Sequence, residues 1–146
     1  MSIILCDTSS AIEMRNRRIY QPKGPISVTP MIRDEYQRHR AEIPSSVYAG
    51  ALTVDSSQNP HFNRFLLAAR EKCNEVMPDK KRVRDPVSAT DLQLMAEALT
   101  RAQEGRSVEV LSEDAHIKGT LNALLKGPYK HLKTRLAVGS VIDMPA

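Results

Sequence analysis

A chain of 146 residues with 41% hydrophobic and 26% charged content is long enough for one domain that buries roughly 68–70% of its unfolded surface, and too apolar and periodic to be disordered. Its 21 basic and 17 acidic residues leave a net charge of +4 and a pI near 9.2, a mild bias toward polyanionic partners. The absence of tryptophan and an aromatic content of 4% argue against a base-stacking platform, and no stretch approaches the ~18 apolar residues of a membrane span.

In chain order, Ile3-Ile4-Leu5-Cys6 reads as a short buried strand that stops abruptly at Asp7-Thr8-Ser9-Ser10. This run is too short for a signal-peptide core and no basic region precedes it, so the expected compartment is cytoplasmic, with no membrane partner. Ser10 and Glu13 have capping-box spacing and predict the start of a short helix through Ala11, Ile12 and Met14. A basic connection follows, broken by Pro22, Gly24 and Pro25. Ile26-Ser27-Val28 predicts a brief strand, and Thr29-Pro30 the start of a helix to about Arg40 whose less polar face carries Ile32, Tyr36 and His39. Residues 43–59 carry an apolar patch without a readable period.

Asn59-Pro60 opens a helix with Phe62, Phe65, Leu66, Ala69, Cys73 and Val76 on its core face, stopped by Pro78. Cys73 and Cys6 both lie in apolar patterns, which predicts reduced, buried thiols. After a basic connector, Pro86 to Gly105 is the strongest helix pattern, with Leu92, Met95, Ala96, Leu99 and Ala102 in one stripe. Val108 to Leu111 reads as a strand ending in Ser112-Glu113-Asp114, and about His116 to Lys126 as a helix with Ile117, Leu121, Leu124 and Leu125 inward. Leu132 to Val138 is a candidate last strand. Alternating strands and helices predict an α/β domain with a mainly parallel sheet, spanning residues 1–146.

Four acids fall where such a fold builds its crevice. Asp7 and Asp114 end strands, Asp91 sits in a first turn on the border of an apolar stripe, and Glu35 borders another helix's buried side. Each also has a structural explanation: Asp7 and Asp114 as helix-initiating residues, Asp91 as the acid of a Ser88-x-x-Asp91 capping box, Glu35 as a partner for Arg38.

The succession Leu5-Cys6-Asp7-Thr8-Ser9, Asp34-Glu35-Tyr36, Ser88-Ala89-Thr90-Asp91-Leu92 and Val110-Leu111-Ser112-Glu113-Asp114 resembles the PIN domain over nearly the whole chain. The resemblance implies a three-layer α/β/α sandwich and a ribonuclease dependent on magnesium or manganese. It implies that Asp7, Glu35, Asp91 and Asp114 are the catalytic, metal-site acids, with Ser9 and Ser112 orienting them. Its further expectations are RNA as the partner, a role as the toxin of a toxin–antitoxin pair with an antitoxin protein, and a homodimer. Ionised carboxylates crowded together repel, so they should hold a divalent ion or a proton, and magnesium favours such oxygen ligands while keeping several waters. Arg15, Arg17, Arg18, Lys80, Lys81, Arg82 and Arg84 are candidates for a basic rim gripping RNA phosphates. His116 is read as exposed rather than supporting the acids, and Glu113 as turned to the opposite face.

Other chemistries are poorly supported. The sequence has no P-loop, dinucleotide-binding glycine pattern, HExxH or paired CxxC, and no G-x-S-x-G elbow. Ser9 stands where a haloacid-dehalogenase-type phosphatase needs its second aspartate, and the opening strand lacks the adjacent acidic pair of a phosphotransfer receiver. The alternatives carried forward are a non-catalytic PIN-like module binding RNA or protein, and a structure-specific DNA nuclease.

Overall fold

Ile3, Ile4, Leu5 and Cys6 are all buried, as expected of a strand covered on both faces, and β1 (Ser2–Cys6) occupies the middle of a five-stranded sheet. The computed structural model describes residues 2–19, 24–76 and 88–143. After β1 come α1 (Thr8–Asn16), β2 (Ile26–Val28), α2 (Pro30–Arg38) and a 3-10 turn (Arg40–Glu42). Then follow α3 (Ser45–Gly50), β3 (Leu52–Thr53), α4 (Phe62–Val76), α5 (Ala89–Gln103), β4 (Ser107–Leu111) and α6 (Ala115–Lys126). A 3-10 turn (Lys130–Leu132), β5 (Leu136–Gly139) and a last 3-10 turn (Val141–Asp143) close the described chain.

The strand order is β3-β2-β1-β4-β5 and every pairing is parallel, which makes the expected three-layer α/β/α sandwich. From β1 the chain winds outward through β2 to β3, then returns past β1 to lay down β4 and β5 on its other side. That reversal is the topological switch point, and it puts a crevice beyond the carboxyl ends of β1 and β4. The register Cys6↔Leu111 aligns the two ends, so the residues that follow each strand emerge side by side. A bond from the Asp7 amide to the Leu111 carbonyl (3.2 Å) extends the pairing by one residue.

Helices α4, α5 and α6 share one apolar layer in which Phe65, Met95, Leu99, Leu121 and Leu124 are buried, each contributing about 1.5–3 kcal/mol. Both cysteines are buried and free. Among the described residues, no helix is long and apolar enough to cross a membrane.

Three local expectations need correction. The cap of α1 is Asp7, not Ser10: its carboxylate accepts the Ser10 amide, and the helix starts three residues earlier than the Ser10–Glu13 spacing implies. His39 is exposed, because α2 ends at Arg38 before another turn can bring His39 round to the core. Val76 is 39% exposed at the end of α4. The unreadable stretch 43–59 holds α3 and a two-residue edge strand, both of whose residues are exposed. The predicted starting point of α5, Pro86, lies outside the described residues; the described cap is Ser88.

Candidate functional site

Asp7 is 7% exposed, and its carboxylate is held by three donors. Oδ1 accepts from the Ser10 amide (2.9 Å) and Ser9 Oγ (3.0 Å), and Oδ2 accepts from Ser112 Oγ (2.5 Å). A carboxylate offers about four lone-pair positions, so one remains, on Oδ2. Burial pushes the pKa of this carboxyl up, opposed by the bonds from Ser112, Ser10 and Ser9.

Ser112 joins the two strand ends. It is buried, donates to Asp7 and accepts from the Asp114 amide (3.0 Å), while its own amide is tied to the Gly139 carbonyl (3.0 Å). Asp114 caps α6 by accepting the His116 amide (2.7 Å) on Oδ1. The expectation that His116 is merely exposed is corrected by its position: it is half-buried, and its Nδ1 lies 3.7 Å from Asp114 Oδ1.

Glu35 arrives from α2. Tyr36, wholly buried, donates its hydroxyl to the Cys6 carbonyl (3.0 Å) and so pins α2 beside the end of β1. Its neighbour Glu35 then accepts from Thr8 Oγ1 (2.6 Å), on the first turn of α1. The sequence reading gave Thr8 no role, and the pairing of Glu35 with Arg38 is replaced by this contact. Asp91 sits in the first turn of α5, its amide donating to the Ser88 cap (3.1 Å). Burial pushes its carboxyl up to about 6. The Ser88 hydrogen bond opposes the rise, and the charges of Asp114, Asp7 and Glu35 add to it.

The four acids thus share one electrostatic neighbourhood, although no group of three carboxylate, thiol or imidazole donors stands at metal-ligand spacing among the described residues. The donor chemistry is all hard oxygen, which suits magnesium or manganese rather than softer metals. Magnesium is commonly held by one or two carboxylates and its own waters, and one Oδ2 position of Asp7 is left without a protein donor. Three helix N-termini, those of α1, α5 and α6, carry these acids. Their dipoles favour negative charge, both of the carboxylates and of an incoming anion.

Glu113, next to Asp114, does different work. It accepts from Ser10 Oγ (2.6 Å), Ser140 Oγ, the Val141 amide (3.0 Å) and the Ile142 amide (3.2 Å). Burial would raise its carboxyl, yet these four bonds hold it below the usual range. It is a strut between α1 and the last 3-10 turn. Arg15 lies in the last turn of α1, ~12 Å along its axis from Asp7 at 1.5 Å per residue, and Arg17 and Arg18 follow the helix. Lys80, Lys81, Arg82 and Arg84 lie outside the described residues.

No family model matches the chain, and neither does any curated protein or solved structure.

Proposed function

We propose that this chain is a divalent-metal-dependent endoribonuclease of the PIN type, with Asp7, Asp91 and Asp114 holding magnesium or manganese at the β1–β4 switch point. The observation that carries the reading is Asp91, whose carboxyl is raised to about 6 by burial and by the charges of Asp114, Asp7 and Glu35. Such a surplus of negative charge is costly to the fold and is relieved by a bound cation. When bound, the ion supplies an activated water and charge stabilisation at a phosphodiester.

The protein residues have separable tasks. Ser9, Ser112 and the Ser10 amide fix the Asp7 carboxylate so that only one Oδ2 position faces a ligand. Ser112 also sets the spacing of Asp7 and Asp114 by bonding to both. Thr8 holds Glu35 by its Oε1, leaving Oε2 to orient a water. The helix N-termini offer favourable potential to the phosphate.

The reading is tested by incubating a mixed pool of structured and unstructured RNA with the protein in manganese. Cleavage that falls at least a hundredfold in folded Asp91→Asn, the order expected for loss of a group acting in the transition state, supports it; undiminished cleavage by that variant rejects the assignment.

A further inference from the structure

Residues 115–139 contain Lys118, Lys126, Lys130, Lys133 and Arg135 and none of the chain's 17 acidic residues. α6 and the segment that leads into β5 thus form one of the two longest acid-free basic stretches of the chain, the other being residues 14–33. Some cations elsewhere have acidic partners, as Lys72 has Glu75 (2.6 Å) and Arg101 has Glu97 (2.7 Å). Among the described residues, the ammonium groups of Lys118, Lys126, Lys130 and Lys133 have none. Like charges gathered without partners cost stability, a cost that a polyanion offsets.

Lys118, Asn122 and Lys126 recur every fourth residue and form one stripe of α6, with exposed Ala115, Gly119 and Asn122 leaving its surface low. A Cβ at Gly119 meets nothing within 4 Å. The stripe begins one turn from Asp114, whose carbonyl accepts the Lys118 amide (3.2 Å), and reaches Lys126 ~18 Å away at 1.5 Å per residue. Beyond it, Lys130 leads to Lys133 and Arg135, which edge an open cavity of about 500 Å³.

We infer that this stripe is a cationic track for the sugar–phosphate backbone of a nucleic-acid strand that enters the acid cleft at Asp114. The inference rests on the nuclease reading for what happens at that end; the backbone contact itself needs no cleavage. Lys118 and Lys126 on a low surface present positive charge to the repeated negative charges of a phosphodiester chain. The stripe lacks the buried aromatic or aliphatic anchors that give a protein interface its affinity. Because the contacts are to phosphates, the track binds without choosing sequence.

The test measures binding of fluorescent 20-nucleotide oligouridine and oligothymidine by anisotropy in EDTA across a salt series. It compares the wild type, the pair Lys126→Gln/Lys130→Gln, and Gly119→Glu, which adds opposing charge where a side chain has room. The expected result is wild-type binding with a steep salt dependence, and at 0.1 M salt about a tenfold loss in the lysine pair and in Gly119→Glu. The lysine pair should also lower the salt slope by about 1.4, at ~0.7 per phosphate contact. Equal binding of the two oligomers identifies the shared backbone as the ligand; preference for oligouridine identifies RNA through its 2′-hydroxyls. No wild-type binding, wild-type affinity in both variants, or equally tight binding of polyglutamate overturns the inference. Binding lost in the variants alongside no manganese-dependent cleavage keeps the track and removes the nuclease reading.

Discussion

Glu113 and Asp114 are neighbours, yet the protein treats their surroundings in opposite ways. Glu113 is surrounded by donors from Ser10, Ser140, Val141 and Ile142, and its carboxyl is held down. On the Asp114 side, burial and then the charges of Asp114, Asp7 and Glu35 push Asp91 up to about 6. Glu97 belongs with Glu113: it is 1% exposed and accepts from the Ser56 amide (2.7 Å), Ser56 Oγ (2.5 Å) and Arg101 Nε (2.7 Å). The contrast is that Glu113 and Glu97 have donors enough to act as structural ties, whereas Asp91 is buried beside other charges with a single serine to offset them.

The largest effect should come from breaking a satisfied tie. Glu97→Ala strands the buried Ser56 amide and removes the partner of Arg101, and should cost about 2–4 kcal/mol in urea unfolding, with manganese affinity unchanged in the folded protein. Glu113→Gln keeps an acceptor but loses the charge that strengthens its bonds, and should cost about 1–2 kcal/mol. Because the folded carboxyl of Glu113 is held low, its contribution is present above the unfolded value of 4.5. It should fade as pH falls below that value, and the Gln variant should lack that part of the acid dependence.

The acid cluster should behave in the opposite sense. Asp91 is raised from 3.8 to about 6 on folding, so between those values the folded state holds more protons than the unfolded one and stability falls as pH rises. Asp91→Asn should therefore stabilise the metal-free protein at pH 7, by on the order of 1 kcal/mol after discounting for solvent around this half-buried group. Below pH 4 the gain should disappear, since the carboxyl is then protonated in both states. Thermal melts at pH 4, 5, 6 and 7 check this. A gain that persists unchanged at pH 4 would show that the variant acts through packing or capping instead. In manganese the order should invert, with the wild type gaining stability and the variant gaining little.

Much of this was legible because local pattern and tertiary role agree. The continuous apolar run of β1, the matching run of β4 and the stripe of α5 identify the central strands and a core helix, and Asp7 and Asp114 follow from where those runs stop. What was missed depends on distant partners. Ser10 resembles a capping residue locally, yet its hydroxyl bonds to Glu113, 103 residues away. Glu97 sits inside an apolar stripe, and only the Ser56 loop packed against it explains its burial. β3 is too short and too exposed to leave an alternating pattern. Lys118, to which the sequence reading assigned no role, starts one turn from Asp114.

Whether the cluttered side of the switch point is built for a cation is tested most directly by titrating manganese into the wild type, Asp7→Asn and Asp114→Asn by calorimetry, with folding checked by circular dichroism. The expected result is wild-type binding that weakens at least tenfold in both folded variants, because the two carboxylates meet at one site through Ser112. Absence of binding in the wild type, or equal binding by all three proteins, would contradict it and leave the acids as helix caps.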